Sequence, residues 1–188
     1  QSIFSQTIAD KNYYLVDSLI IEKLSKNDQQ LIDSILILYH KTKSDTLRLT
    51  YINKITEDCL DDNIWPKYNQ LSFDKSQEDL SNPMLSKNEQ VFVKKSLAAS
   101  INNFGYLAYN FGNYSRAIKY YQESFKIYQS IHDKDGLATC LNNMGAIYDD
   151  RGETDKALEL YLRSLKFVEQ IGDQQGIALS LNNIGYIY

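Results

Sequence analysis

One phrase recurs three times at a fixed interval. Ser100-Ile101-Asn102-Asn103-Phe104-Gly105 returns as Cys140-Leu141-Asn142-Asn143-Met144-Gly145 and again as Ser180-Leu181-Asn182-Asn183-Ile184-Gly185, each copy 40 residues after the last. A period between roughly 20 and 50 residues marks a repeat array, in which each unit buries its apolar face only by stacking on its neighbours. The register extends beyond the phrase. Leu97-Ala98, Leu137-Ala138 and Ile177-Ala178 are equivalent, as are Asp133-Lys134-Asp135-Gly136 and Asp173-Gln174-Gln175-Gly176. Downstream, Gly112 to Ala117 aligns with Gly152 to Ala157, Tyr121 with Tyr161, Ser124 with Ser164, and Ile131 with Ile171.

Each unit reads as two helices. In the second unit Leu137, Leu141, Met144, Ile147 and Tyr148 recur at three- and four-residue steps, the stripe of a helix with one buried face. Gly152 interrupts the pattern at a turn, and a second stripe of Ala157, Leu160, Tyr161, Leu165 and Val168 follows before Gly172-Asp173. Gly145 lies inside the first helix, where glycine costs about 1 kcal/mol against alanine. Its recurrence at Gly105 and Gly185 calls for a close approach by another helix at that point.

Leu141, Met144-Gly145, Tyr148, Ala157, Tyr161 and Ser164 resemble the tetratricopeptide repeat signature. The first unit matches it through Ile101, Phe104-Gly105, Ala117, Tyr121 and Ser124, with Ala108 in place of the usual tyrosine and Tyr109 beside it. The period exceeds the common tetratricopeptide spacing of about 34 residues. It resembles the longer form found in kinesin light chain, in Pins-type scaffold proteins and in bacterial signalling proteins. The resemblance implies an all-α fold, a right-handed superhelix of antiparallel helix pairs. It places the array at residues 88–188, two full repeats and the first helix of a third, with the missing second helix pointing to a piece of a longer protein. Residues 1–87 form a helical region with a degenerate, repeat-like cap.

In that N-terminal region Leu19–Leu24 suggests a short helix. Asn27-Asp28 caps a second, with Leu31, Ile32, Ile35, Leu38 and Tyr39 on its stripe, and Ser44-Asp45 caps a third, with Leu47, Leu49, Ile52 and Ile55. Asp61-Asp62-Asn63 turns the chain, and Pro66 sits in the tolerated first turn of a fourth helix. Ser72–Ser86 reads as a loop before a long helix that starts near Lys87.

Composition narrows the functional classes. Hydrophobic residues at 43% and 15 tyrosines argue against disorder, and a net charge of -4 without a clustered basic face argues against nucleic-acid binding. The longest apolar run, Ile35–Tyr39, is far shorter than the roughly 20 residues of a membrane span. No phosphate loop, zinc-ligand spacing or nucleophile motif is present, so no catalytic residue, metal or cofactor is expected. Cys140 takes the place of Ser100 and Ser180 and reads as a small packing residue; a disulfide with Cys59 has no support in the pattern.

By the resemblance, the first helix of every unit lines the groove of the array. Asn102, Asn142 and Asn182 then form a row on that surface, flanked by Tyr106, Tyr109, Asp149 and Tyr186. An amide side chain both donates and accepts, so such a row can grip the backbone of an extended peptide. The alternative is that asparagine at a repeat position braces the neighbouring helix, the reading preferred for Asn103, Asn143 and Asn183. The first-helix stretches Ser96–Phe111, Gly136–Tyr148 and Gly176–Tyr188 hold no Lys or Arg, so a carboxylate-tail ligand is disfavoured. Lys119, Glu123, Lys126, Lys156, Glu159, Arg163 and Lys166 fall on the second helices, as a solvated outer face.

The expected function is a protein- or peptide-binding scaffold. The resemblance to N-terminal regions of Bacteroidetes-type sensor kinases makes it the sensory or interaction part of a larger signalling protein, whose kinase or cyclase output domain lies elsewhere. A start at Gln1 without Met suits a mature, periplasmic form; a cytoplasmic location is the alternative. Self-association through the last helix, as a homodimer, is the competing structural role.

Overall fold

In a computed structural model of the chain, which describes residues 11–17 and 19–188, every regular element among the described residues is helical. The helices are α1 (Lys11–Tyr14), α2 (Lys26–Lys41), α3 (Asp45–Asp58), α4 (Trp65–Leu80), α5 (Lys87–Asn110), α6 (Tyr114–Ser130), α7 (Lys134–Asp150), α8 (Thr154–Ile171) and α9 (Gln174–Ile187). The chain divides into two compact units, Gln1–Ser96 and Leu97–Tyr188. The division falls inside α5.

In the first unit α2 packs on α3 and α3 on α4. Ile32, Leu36, Leu49, Ile52, Ile55 and Tyr68 are almost wholly buried between them. Ser25, rather than Asn27-Asp28, caps α2: its hydroxyl accepts from the Asp28 amide at 3.0 Å and donates to the Asp28 carboxylate at 2.7 Å. Asp28 is turned inward, where its other oxygen accepts the Leu60 amide at 3.0 Å. Those bonds hold its carboxyl below the usual range, the Ser25 hydroxyl first and the Leu60 amide second. The expected caps at Ser44 and the turn before Pro66 are present. Leu38 and Leu47, assigned to buried stripes, are exposed.

Two expectations fail here. The helix over Leu19–Leu24 is only a 3-10 turn, Ile21–Lys23. Ser72–Ser86 is not a loop: α4 continues to Leu80, and the chain leaves helical structure only over 81–86, around Pro83. Beyond Trp65 and Tyr68 in its first turns, the face that α4 buries is made of small and polar side chains, Asn69, Ser72, Ser76 and Asp79, not of an aliphatic stripe. Hydrogen bonds replace the apolar signal. Ser72 donates to Asn53 at 2.5 Å, Asn53 donates to Ser96 at 2.8 Å, and Lys75 holds Asp79 at 2.7 Å.

In the second unit the end of α5 is followed by α6 to α9, and α6 packs on α7, α7 on α8 and α8 on α9. Every turn closes alike. The amide of the residue after the turn bonds five residues back, Asn113 to Ala108 and Glu153 to Tyr148 at 2.8 Å, Asp133 to Tyr128 and Asp173 to Val168 at 3.0 Å. This closure needs a left-handed residue just before. Gly172 supplies it at φ 71°, and His132, which aligns with it, adopts φ 56° despite its side chain. The side chains of Asn113, Asp133 and Asp173 then cap α6, α7 and α9.

Within each repeat, paired helices lock through the same two contacts. Ser124 donates to the Ala98 carbonyl at 2.7 Å and Ser164 to the Ala138 carbonyl at 2.9 Å, both buried. A Cβ at Gly105 would lie 2.5 Å from the Tyr121 ring, and one at Gly145 2.6 Å from the Tyr161 ring. The helical glycines are there to admit those rings. At Gly185 nothing lies within 4 Å of that position.

Candidate functional site

The repeated asparagines pair across repeats. The Asn143 amide donates to the Asn102 carbonyl oxygen at 3.1 Å, and the Asn183 amide donates to that of Asn142 at 2.9 Å. The second asparagine of one unit therefore grips the first asparagine of the unit before it. Helices two elements apart in sequence, α5 with α7 and α7 with α9, are thereby joined by one amide bond repeated at the array period. Each bond uses only the carbonyl of the first asparagine, whose own two N–H groups are not consumed by it.

The other sequence-derived site residues lie on the same helices with different surroundings. Tyr106, Asp149, Asn182 and Tyr186 are exposed. Tyr109 is half-buried and donates to Asp150 at 2.6 Å, and Tyr114 reaches the same carboxylate oxygen at 3.4 Å. The bond to Asp150, together with burial, pushes the Tyr109 hydroxyl up to about 12. Of the two adjacent acids, Asp150 and not Asp149 is the one the fold engages. Cys140 is fully buried, with its thiol 3.4 Å from the Ser124 hydroxyl, and burial pushes it up to about 12. It is a packing residue without thiolate character, and both cysteines are free.

Asn142 and Asn143 border a cleft of about 250 Å³ between α7 and α9. Asp135 and Thr139 continue its α7 wall, and Asp173 and Leu179 stand on the α9 side. Its lining holds two carboxylates and no Lys or Arg. Asp135, Thr139 and Asn142 are spaced four and three residues apart, so they share one helix face. That spacing was available in the sequence; the convergence with Asp173 was not, since it depends on how α9 meets α7. A larger cleft of about 540 Å³ opens between α6 and α8, where Lys126 and Arg163 are found. These two cations are exposed, as expected of a solvated face, and also border an apolar floor.

Among the described residues no group of three or more His, Cys, Asp or Glu could hold a metal ion. No helix among them is long and apolar enough to cross a membrane.

The tetratricopeptide repeat family model matches residues 96–170, less than half of the chain; this stretch is similar to such repeats, which generally mediate protein–protein interaction. No curated protein matches in sequence. Among solved structures, the chain is similar to BtubC (BKLC) from P. vanneervenii, with a TM-score of 0.55 at 14% identity. The similarity covers 86% of this chain and 65% of that one, so the chain spans somewhat less than two thirds of that protein's length. At this identity the likeness concerns the fold: an all-α solenoid.

Proposed function

We propose that the tetratricopeptide array of residues 97–188 is a protein- or peptide-binding scaffold, and that its ligand lies along the first-helix face of the repeats. The observation that carries this reading is the α7–α9 cleft, where Asn142 and Thr139 meet Asp135 and Asp173 without any cation. Amide and hydroxyl groups can hold an extended backbone whatever its side chains, and the two carboxylates favour a neutral or basic segment over an acidic one. Asn102, Tyr106 and Tyr109 on α5 and Asn182 and Tyr186 on α9 extend the same face to either side; Asp149 stands at its edge.

In the wider reading this array is the interaction or sensory region of a larger bacterial signalling protein, extracytoplasmic or, alternatively, cytoplasmic, with any catalytic output domain elsewhere. The support for that context is the resemblance of the 40-residue asparagine–asparagine–glycine repeat to such regions.

The test starts from an extended peptide selected from a random library on the whole chain. Its affinity is compared between the wild type and an Asn142→Ala/Asn182→Ala variant. Lost binding with an unchanged helical spectrum supports the groove. Unchanged binding with a large loss of stability would show that the asparagines only brace the array.

A second reading has its own observation. On α9, Leu181 is about half exposed (53%), whereas Leu141, its equivalent in the preceding repeat, is 1% exposed. That apolar face supports self-association into a homodimer. Sedimentation velocity on the wild type and on Leu181→Glu separates the two: a dimer that dissociates in the variant supports self-association, and a monomer in both removes it.

A further inference from the structure

The cleft between α6 and α8 uses a face of α7 different from the one that carries Thr139 and Asn142. Its floor consists of Leu141 and Met144 from α7, with Phe125 of α6 and Leu160 of α8 half-buried at its sides. Leu141 and Met144 remain 1% and 8% exposed, so the floor is a solid part of the core and not a loose flap. At about 540 Å³ the cleft falls within the roughly 300–1,000 Å³ of ordinary ligand sites. Methionine is the side chain that adapts most readily to an incoming apolar group, and here it lies on the floor.

The charge of the rim distinguishes this cleft from the other. Lys126 and Arg163 stand on it, from α6 and α8, and no carboxylate lines it. In a chain of net charge -4 that is a local reversal of sign, opposite to the two aspartates of the α7–α9 cleft. Lys126 makes no ion pair among the described residues. Arg163 has Glu159 one turn away at 3.7 Å, an exposed pair of a kind that contributes little and yields easily to a better-placed carboxylate.

We infer that the α6–α8 cleft is a second docking site, for an acidic peptide segment that seats large aliphatic side chains on the Leu141–Met144 floor and sets carboxylates against Lys126 and Arg163. It is separate from the first-helix groove and takes a ligand of opposite charge. An array with two such faces holds two partners at once, one on each side of α7.

The chain contains two methionines, which makes the test direct. The whole chain, carrying ¹³C-methyl methionine, is titrated with a short synthetic peptide in which leucines are set among glutamates. Met144 lies on the cleft floor, and Met84, 85% exposed in the other unit, is an internal control. The inference expects the Met144 methyl resonance to shift and that of Met84 to stay. It expects the affinity to fall at least about tenfold in Lys126→Glu/Arg163→Glu and to weaken with added salt. Replacing the peptide's leucines by serine should abolish the shift. The inference is overturned if Met144 does not respond, or if the charge-reversed variant binds equally well. It is equally overturned if the acidic peptide is lost only in Asn142→Ala/Asn182→Ala, which would assign it to the other cleft. Because the first-helix groove is read through the asparagines and a library-selected peptide, either site can fail without the other.

Discussion

Gly145 and Gly185 occupy the same place in consecutive repeats, yet opposite effects are expected when each is replaced by alanine. At Gly145 the added methyl would meet the Tyr161 ring, itself fixed in the core at 3% exposure, so Gly145→Ala should destabilise the chain by roughly 1–3 kcal/mol. At Gly185 no neighbour is near, and Gly185→Ala should gain about 1 kcal/mol of helix propensity. Urea unfolding of both variants checks the pair; a loss at Gly185 as large as at Gly145 would refute the packing account. His132→Gly should likewise stabilise, by about 1 kcal/mol, because the native backbone there is left-handed and its counterpart is already glycine. At this scale the sequence was informative. The helical glycine's packing purpose, the small-residue role of Cys140 and the alignment of His132 with Gly172 all followed from repetition. The Asn102–Asn143 and Asn142–Asn183 bonds did not, because they join positions 41 residues apart, one more than the period. Comparing aligned positions cannot reveal a contact that is out of register by one.

The elements of the array are held by what passes between them as much as by their own propensity. The asparagine bond should therefore appear as a coupling: a double-mutant cycle on Asn142→Ala and Asn183→Ala should give roughly 0.5–1.5 kcal/mol. Additive effects would mean that the bond contributes nothing between α7 and α9. Element existence was legible wherever apolar residues kept helical spacing, as in α2, α3 and the whole array. It was not legible in the second half of α4, where the buried face is polar and Ser72 is bonded to Asn53 of α3. The period-based signal measures hydrophobicity, and Ser72 and Asn69 carry none. Caps were legible where the capping side chain stands directly before an apolar run, as at Ser44, and not at α2, where Asp28 serves the interior and Ser25 does the capping.

For the whole molecule, the titratable groups set the conditions under which the array holds. Burial pushes Cys140 from 9.0 and Tyr161 from 10.0 up to about 12, and Asp150 with burial does the same to Tyr109. In the window between those values the unfolded chain releases protons that the folded chain retains. Stability is therefore complete below about pH 9 and falls as pH rises toward about pH 12. Denaturant midpoints measured at intervals across that window should decline steadily; a flat profile would contradict the burial of these groups. The fold class could be read from the chain, because one period fixes every unit at once. The two clefts could not, because each is built from three helices whose facing residues are unrelated in sequence.

The central claim is that the first-helix face binds a protein segment, and site-specific photo-crosslinking tests it most directly. A photoreactive amino acid is placed at Thr139, on the α7–α9 cleft, and separately at Leu162, exposed on α8 and outside both clefts. Each chain is irradiated with the library-selected peptide. Crosslinks from position 139 and none from 162 are predicted; crosslinks from 162 alone would contradict the claim.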